Sequence, residues 1–366
     1  MSETHTRHWR LIDTGVLRAA QNFAYNRALL ECHQENRSPN TLRFLRFKPS
    51  ALIGFHQDVR QEIYLDYCLE NGIDVQRRLT GGGALYFDEG VLGWELYLDK
   101  KSLGTAQMPL IAEKICTAVA SGLSQLGVDA RFRPRNDIEI HGKKISGTGG
   151  AFDGDSILYQ GTVLVDFDIE KMLNVLHIPV EKWSDKAINS ARERITTLKE
   201  EMEHAPQLEE VKEQIARSIG DAFQVDLNKE DDLLEAEKTL YEQALNEIDS
   251  PDWIYQHNRP RDDSSIKESI TKTPGGLIRI GMSVDKNRSH LKQIWITGDF
   301  FIKPRRVVLD LEAALKDTPL SEMETTVRNF FNRNHVEMLQ LKPEDFISAI
   351  KKAMSDDTVT HQKVTS

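Results

Sequence analysis

The sequence predicts an α+β protein with two domains, a larger one built on a mixed or antiparallel sheet with flanking helices and a small α+β domain after it. Three observations support this prediction. Apolar residues recur at intervals of three and four in residues 14–30 and 200–248, as on the buried face of a helix. Short alternating segments bounded by turn residues follow these regions, as in strands. The segment SPDWIYQHNRPRDDSS separates the two parts.

Composition excludes several classes of protein. The chain has 366 residues, enough for two domains of about 150 residues each. Its net charge of -10 argues against a broad nucleic-acid surface. The amino terminus lacks the apolar core of a signal peptide, and no apolar run is long enough to span a bilayer. We therefore expect a cytoplasmic protein that binds neither nucleic acid nor membrane.

The elements of the larger domain follow in order along the chain. The apolar stripe predicts a helix over residues 14–30, and LRFLRFKPSALIGFHQ predicts two strands, or a strand and a bend, divided at Lys48-Pro49. A helix is expected from about residue 61 to 71. The segment NDIEIHGKKISG predicts a β-hairpin that turns at His141-Gly142 and places Glu139 opposite Lys144. ILYQGTVLVDFD predicts a further strand, and helices follow to residue 248.

The predicted domain boundaries follow from the change in composition. Residues 1–250 form the larger domain, 251–267 the linker, 268–355 the small domain and 356–366 a flexible tail. In the small domain, LIRIGMSV and LKQIWITGDFF predict a hairpin, and helices follow it. The last helix is expected to begin near Pro343, since proline suits the first turn of a helix.

The stretch RRLTGGGALYFDEG contains the first candidate site. Gly81, Gly82 and Gly83 can adopt positive φ angles and approach a ligand closely with their amides, and the arginines before them supply planar donors for phosphate or carboxylate. The pattern is neither a P-loop nor a GxGxxG dinucleotide loop, because a strand-like ALYF follows. The alternative is a plain glycine-rich turn with surface arginines.

Three further features could take part in chemistry. Lys144 in KKISGTGG can stabilise developing negative charge, or it can form an ion pair with Glu139. Asp137 could bind a ribose, a base or a metal, or terminate a turn. Gln160-Gly161 interrupts an apolar strand, which indicates either close approach of a ligand or another backbone, or a β-bulge.

Together these motifs resemble the lipoate-protein ligase family of the biotin and lipoate ligase superfamily. The resemblance rests on GFHQD, RRLTGGGALYFD, RNDIEIHGKKISGTGG, YQGTVLVDFD, SARERITTL and ITGDFF, which occur in family order over nearly the whole chain. It implies a larger domain like those of biotin ligases and class II aminoacyl-tRNA synthetases. It also implies ATP-dependent activation of lipoate or octanoate to an acyl-adenylate, and transfer of the acyl group to a lysine of a lipoyl-domain protein or a glycine-cleavage H-like protein.

The resemblance also implies roles for particular residues. Lys144 would be catalytic, and Mg²⁺ would accompany ATP near Asp137. Gln160 and Gly161 would line the acyl-chain pocket together with Gly82. The residues expected to bind ATP and the acyl-adenylate are Arg78, Gly81, Gly82, Gly83, Ala84, Leu85, Tyr86, Asn136, Asp137 and Lys144.

Other functions stay open at this point. Octanoyltransferases and lipoyl amidotransferases of the same superfamily use a cysteine thioester without ATP. The three cysteines, Cys32, Cys68 and Cys116, all fall in predicted helices, away in sequence from the lysine hairpin and the QGT strand. A non-enzymatic acyl-ligand binder would be expected to lack the lysine equivalent to Lys144. A biotin ligase would have a different glycine-rich motif.

Overall fold

A computed structural model describes residues 7–134, 136–177, 192–230, 232–257, 266–285 and 287–355. The strands are β1 (Arg7–Leu17), β2 (Thr41–Phe47), β3 (Ser50–Ile53), β4 (Asp74–Arg77), β5 (Leu85–Phe87), β6 (Val91–Asp99), β7 (Ala130–Arg133), β8 (Asp137–Ile140), β9 (Lys143–Asp153), β10 (Ser156–Leu164), β11 (Val225–Lys229), β12 (Lys267–Thr273), β13 (Gly276–Asp285), β14 (His290–Gly298), β15 (Ile302–Lys303), β16 (Thr318–Pro319) and β17 (Glu337–Met338).

The helices lie between groups of these strands. They are α1 (Ala19–Gln34), α2 (Val59–Glu62), α3 (Leu65–Glu70), α4 (Lys100–Leu103), α5 (Met108–Ser124), α6 (Ile169–Val175), α7 (Leu198–Met202), α8 (Leu208–Phe223), α9 (Glu235–Ile248), α10 (Pro251–Tyr255), α11 (Val307–Leu315), α12 (Met323–Arg333) and α13 (Pro343–Ser355), with a short 3₁₀ turn at Leu320–Glu322.

The chain divides into two compact units. The first contains Met1–Ala51, Tyr64–Gln76 and Tyr86–Ser250, and the second contains Leu52–Ile63, Arg77–Leu85 and Pro251–Ser366. The chain therefore enters the second unit twice before its carboxyl-terminal part. Strands β3, β4 and β5 form a small sheet in the order β4-β3-β5, and the division between the units falls within these strands.

The first unit is built on an eight-stranded sheet in the order β11-β1-β2-β6-β10-β9-β8-β7. The β1 strand pairs in parallel with β11 and β2, and the other neighbours pair antiparallel, so the sheet is mixed. Helices α5 and α8 cover one face over a large apolar core that includes Trp94, Ile115 and Ile215. Helices α1 and α9 pack together, and Leu29 of α1 joins a smaller cluster with Tyr97 and Leu158 on the other face.

The second unit contains a four-stranded antiparallel sheet in the order β12-β13-β14-β16. Helices α11, α12 and α13 pack on it, and their apolar side chains share a core with Ile280, Ile296 and Phe300. The hairpin expected in this region is confirmed as β13 and β14. The last helix begins at Pro343, also as predicted.

Several predicted elements differ from the structure. The helix expected over residues 14–30 begins only at Ala19, because residues up to Leu17 belong to β1. The helix expected from about residue 61 is two short helices, since Ile63 after α2 is extended. Within the expected linker, residues 251–255 are helical, and residues 258–265 lie outside the described residues, as does the expected tail at 356–366. The domain boundaries at 250 and 267 stay a prediction.

Candidate functional site

The lysine hairpin forms in the first unit as the sequence predicts. Strands β8 and β9 pair antiparallel with Glu139 opposite Lys144. His141 and Gly142 make the two-residue turn with φ angles of 50° and 80°, the positive values that the right-handed twist of a hairpin favours. Lys144 therefore projects from a strand whose register is fixed by a tight turn.

The partner of Lys144 is Asp137 rather than Glu139. The Lys144 Nζ atom lies 2.7 Å from Asp137 Oδ1. Glu139 instead binds Arg133 at 3.2 Å, so the Glu139–Lys144 ion pair, which was the alternative role for this lysine, is absent from these described side chains. A register shift between Ile138 and Glu139 alters the pairing of the strands at this point. The long Lys144 side chain reaches diagonally across to the Asp137 carboxylate.

The ammonium group of Lys144 lies over a surface made of glycines. A Cβ atom built on Gly147 would be 2.8 Å from Nζ, and one on Gly149 would meet nothing within 4 Å. Gln160 of β10 is directly opposite Gly149, and directly opposite residues share a face of a sheet. This face thus combines a cation, an open glycine and a half-buried carboxamide.

Glu95, directly opposite Gln160 on β6, is already bound. Its carboxylate accepts hydrogen bonds from Arg43 at 3.1 Å and from Asn26 at 2.6 Å. All three side chains are buried. Glu95 therefore neutralises a buried guanidinium, and Gln160 is the side chain left to meet a ligand on this part of the face.

Gly161 lies on the opposite face of β10. A Cβ atom there would be 2.3 Å from the Trp94 ring and 2.9 Å from the methyl of Thr148. Its register with both neighbouring strands is continuous, so pairing shows no β-bulge at this residue. The close approach is made by the Trp94 side chain, and the structure does not bring Gly161 to the Lys144 face.

A buried polar cluster that no sequence motif predicts lies beneath the lysine hairpin. Cys116 of α5 has its Sγ atom 3.4 Å from both Thr148 Oγ1 and Tyr159 Oη. The Thr148 hydroxyl also donates to the Asn136 main-chain carbonyl at 2.9 Å, and the side-chain Nδ2 of Asn136 donates to the Thr148 main-chain carbonyl at 2.6 Å. Asn136 therefore braces the turn that precedes Asp137.

All three cysteines of the chain are buried, unpaired and helical, as predicted. Burial raises the pKa of the Cys116 thiol and that of Cys32, and it raises the pKa of Cys68 to about 11. Burial disfavours the thiolate, which is the nucleophilic form. Cys116 is fully buried on the face opposite Lys144.

The glycine-rich loop lies in the second unit and requires glycine for close packing. A Cβ atom on Gly54 would be 1.9 Å from the Gly82 carbonyl oxygen, and one on Gly81 would be 2.2 Å from that of Phe300. Gly82 has a φ of +99°, and a Cβ there would be 3.1 Å from the Phe301 ring. The loop is thus packed tightly between the GFHQD segment and the residues after β14.

The two arginines before this loop have different surroundings. Arg78 donates through Nη2 to the carbonyls of Gly81 at 3.1 Å and Gly83 at 2.8 Å, while its buried Nη1 has no hydrogen-bond partner among the described atoms. Burial lowers its pKa to about 10. Arg77 donates to the main-chain carbonyls of Gly54, Phe55, Gln57, Trp253 and Ile254, so it has a structural role.

The remaining candidates follow the glycines. Ala84 is half-buried and Leu85 is 39% exposed. Tyr86 belongs to the first unit and is buried, with its ring centroid 6.1 Å from that of Phe167. Burial raises the pKa of the Tyr86 phenol.

The described residues contain no group of three or more His, Cys, Asp or Glu side chains that could hold a metal ion. Mg²⁺ bound with a nucleotide is held mainly by phosphates and water, with one or two carboxylates. Asp137, with a side-chain exposure of 19%, could supply one such carboxylate. The hairpin therefore fits an ion that arrives with a nucleotide and does not fit a resident metal centre.

Comparison with known proteins identifies the family. Residues 18–220 match the model of the lipoyl protein ligase A/B catalytic domain. The chain is 32% identical to lipoate-protein ligase A subunit 1 of Thermoplasma acidophilum, over 60% of this chain and 85% of that protein. It is 30% identical to a lipoate-protein ligase of Bacillus subtilis, over 71% and 76%. The chain belongs to the lipoyl protein ligase A/B family.

The relatives of the chain also include transferases. An octanoyltransferase of Brevibacillus brevis is 25% identical, over 60% of this chain and 88% of that protein. Family membership therefore establishes an enzyme of the lipoate ligase and octanoyltransferase group without separating the two reactions.

Solved structures show the same fold. The bipartite lipoate-protein ligase of Thermoplasma acidophilum, described with its E2 lipoyl domain, matches with a TM-score of 0.60 and 28% identity, over 70% of this chain and all of that one. A lipoate-protein ligase A bound with ATP gives 0.58 and 26%, over 68% and 98%. A Plasmodium falciparum protein described in complex with lipoate gives 0.70 at 16% identity over 94% and 99%, a likeness of fold that extends into the carboxyl-terminal domain.

None of the described helices is both long enough and apolar enough to cross a membrane.

Proposed function

We propose that the protein is an ATP-dependent lipoate- or octanoate-protein ligase. It would form an acyl-adenylate and transfer the acyl group to a lysine of a lipoyl-accepting protein. The observation that favours a ligase over a transferase is the state of the cysteines. Each cysteine is buried in a helix, and the pKa of its thiol is raised. A thioester mechanism instead needs an accessible thiolate.

Lys144 is the proposed catalytic residue. The positive charge of its ammonium would offset negative charge on the acyl carboxylate and the α-phosphate as they react. Asp137, 2.7 Å from Nζ, orients this ammonium before substrates bind. Because Lys144 is 38% exposed, a substrate can approach it without rearrangement of the hairpin.

Arg78 and the glycine-rich loop are the proposed phosphate-binding elements. The buried Nη1 of Arg78 lacks a hydrogen bond, and an unsatisfied buried donor is costly unless a ligand completes it. A bound phosphate oxygen would satisfy this donor. The adjoining Gly83, Ala84, Leu85 and Tyr86 would contribute main-chain amides, with Mg²⁺ accompanying the phosphates near Asp137.

The acyl chain is proposed to lie on the sheet face of Gln160, with Gly82 and Gly161 as further expected pocket residues. The open space at Gly149 supports this placement for Gln160. Gly161 faces the other side of β10, where the Trp94 ring fills its Cβ side, so the open space at Gly149 does not extend to it. A lipoyl domain is the favoured acceptor, since the Thermoplasma ligase is described with one, and an H-like protein is the second candidate.

Exchange of labelled pyrophosphate into ATP tests this proposal. The assay is run with lipoate and with octanoate, and Lys144→Ala is the control. Exchange that depends on the acid and is lost in Lys144→Ala supports adenylate chemistry and shows which acid is accepted. Exchange that persists in Lys144→Ala would contradict the role of the lysine, and no exchange with either acid would contradict the ligase function.

A further inference from the structure

Lys144 lies in a part of β9 that no longer pairs with β10. The ladder between these strands ends at the Thr148–Gly161 pair, whereas the ladder between β8 and β9 continues past Lys144 to Lys143. The main-chain groups of Lys144 on the β10 side therefore need another partner, because buried peptide groups are almost always hydrogen-bonded.

Residues 194–196 take the place of β10 beside Lys144, and we name this segment the strap. The Lys144 amide donates to the Arg194 carbonyl at 2.8 Å, and the Thr196 amide donates to the Lys144 carbonyl at 3.0 Å. Lys144 and Ile195 form a parallel bridge. Both main-chain hydrogen-bonding groups of the candidate catalytic residue are thus bound by the strap.

Side chains fix the strap to the lysine hairpin. Thr196 is fully buried, and its hydroxyl is 2.7 Å from Glu201 Oε1 and 3.2 Å from Glu200 Oε2. The second oxygen of Glu201 is 3.1 Å from Nδ1 of His141 in the hairpin turn. Thr197 accepts a hydrogen bond from the Glu200 amide at 3.1 Å, which caps α7 and sets the direction of Glu201.

We propose that the strap is a positioning element for Lys144, with Thr196 and Glu201 as its positioning residues. Neither residue needs to touch the substrate. The strap binds both main-chain groups of Lys144, and β8 pairs with β9 at Lys143 and Ser146 on either side of it, so the ammonium is held against Asp137 in one place. This inference rests on the proposed function of Lys144, because small displacements of a catalytic group lower the rate without abolishing binding.

The test compares Thr196→Val with Thr196→Ser. Valine keeps the volume and removes the hydroxyl, whereas serine keeps the hydroxyl. In pyrophosphate exchange we expect Thr196→Val to lower kcat about tenfold with KM for ATP and for the acid within about twofold of wild type. Thr196→Ser is expected to restore a kcat close to that of wild type. A smaller folded fraction would also lower apparent kcat at unchanged KM, so deuterium exchange is measured as well.

Hydrogen–deuterium exchange provides a second readout that does not need activity. Peptides covering residues 143–147 are expected to exchange faster in Thr196→Val than in Thr196→Ser, with other peptides of the larger sheet unchanged. If the wild-type protein shows no pyrophosphate exchange, the proposed function fails. Faster deuterium exchange confined to these peptides in Thr196→Val would still support the strap.

Three results would overturn the strap proposal. One is that Thr196→Val and Thr196→Ser behave alike in both assays. Another is that the valine variant exchanges deuterium faster throughout the first unit, which would mean general destabilisation. If Thr196→Val does not fold, Glu201→Gln replaces it, and unchanged protection of residues 143–147 in that variant would likewise contradict the proposal.

Discussion

Asp137 occupies a position between two cations. Its carboxylate lies 2.7 Å from Lys144 Nζ and 2.7 Å from Arg133 Nη2. Glu139, two residues later on the same strand, binds Arg133 and not Lys144. The two carboxylates of β8 are therefore a matched pair that differ in their contact with the candidate catalytic lysine.

Replacement of Asp137 by asparagine is expected to lower the rate of pyrophosphate exchange about tenfold or more, since the ammonium of Lys144 loses the charge that orients it. The matched control, Glu139→Gln, removes a carboxylate from the same strand and is expected to leave the rate within about twofold. Rates measured at saturating ATP and acid check this. Equal losses of rate in the two variants would contradict a specific role of the Lys144–Asp137 contact in catalysis.

Two glycines of the sheet give a second matched pair. Gly161→Ala places a methyl group 2.3 Å from the Trp94 ring, whereas Gly149→Ala places one in open space. Overpacking a core typically costs 1–3 kcal/mol. We expect Gly161→Ala to lower the free energy of unfolding by about 2 kcal/mol and Gly149→Ala to change it by less than about 0.5 kcal/mol. Urea denaturation measures both, and equal stabilities would contradict the described packing.

Among the elements, β1 and α9 are joined by a buried ion pair. Arg10 of β1 donates to both carboxylate oxygens of Glu237, at 2.9 and 2.5 Å, and the two side chains are 1% and 0% exposed. Glu237 also accepts a hydrogen bond from the main-chain amide of Leu234 at 2.8 Å. The pair thus connects the amino-terminal strand to the start of a helix more than 200 residues later.

Glu237→Gln leaves the Arg10 charge buried without a counter-charge, and breaking such a pair costs about 3–5 kcal/mol. We expect a loss of this size in the free energy of unfolding. The control is Glu235→Gln in the same helix, because the exposed pair of Glu235 with Lys238 is screened by solvent and contributes little to stability. If chemical denaturation gave the same small loss for both variants, the buried pair would not be a structural determinant.

Elements defined by local patterns were predictable, and those defined by distant partners were not. The hairpin at His141-Gly142 follows from alternation and a two-residue turn, both visible within a few residues. The β1 strand was missed because it contains buried charge at Arg10 and pairs with β11, which begins only at Val225. The predicted helix therefore extended back into residues of β1.

The candidate site shows the same limit. Lys144 and Asp137 were named as candidates from sequence, but the side chain expected opposite Lys144 was Glu139. The contact with Asp137 accompanies a register shift between Ile138 and Glu139 that alternation does not reveal. The contact of Cys116 with Thr148 depends on how α5 packs under the sheet, and the strap depends on a pairing fifty residues along the chain. Neither arises from a local pattern, so sequence spacing does not reveal them.

At the scale of the whole molecule, each of the two units is built from segments that are not consecutive in the sequence. The segments 52–63 and 77–85 belong with the carboxyl-terminal part, and tight glycine contacts such as Gly81 against Phe300 hold them there. The same unit buries two histidines, His56 and His257, whose rings lie 5.9 Å apart. Burial lowers the pKa of both, and that of His257 falls from 6.5 to about 3.

These histidines predict that the protein loses stability in acid. Between about pH 6.5 and pH 3 the unfolded chain binds a proton at His257 that the folded chain does not, so the free energy of unfolding falls as pH falls. Each such group contributes a slope of up to about 1.4 kcal/mol per pH unit. His257→Phe is expected to reduce the slope by up to this amount in urea denaturation between pH 4 and 6.5, with the largest reduction in the middle of the range. An unchanged slope would contradict the assignment.

The most direct test of the central claim is the intact mass of a lipoyl-domain protein after incubation with the enzyme. One reaction contains ATP, Mg²⁺ and lipoate or octanoate, and the other contains octanoyl-acyl carrier protein without ATP. A ligase with three buried cysteines is expected to add the acyl mass only in the first reaction. Acylation in the second reaction, without ATP, would contradict the ligase function and assign the protein to the transferases.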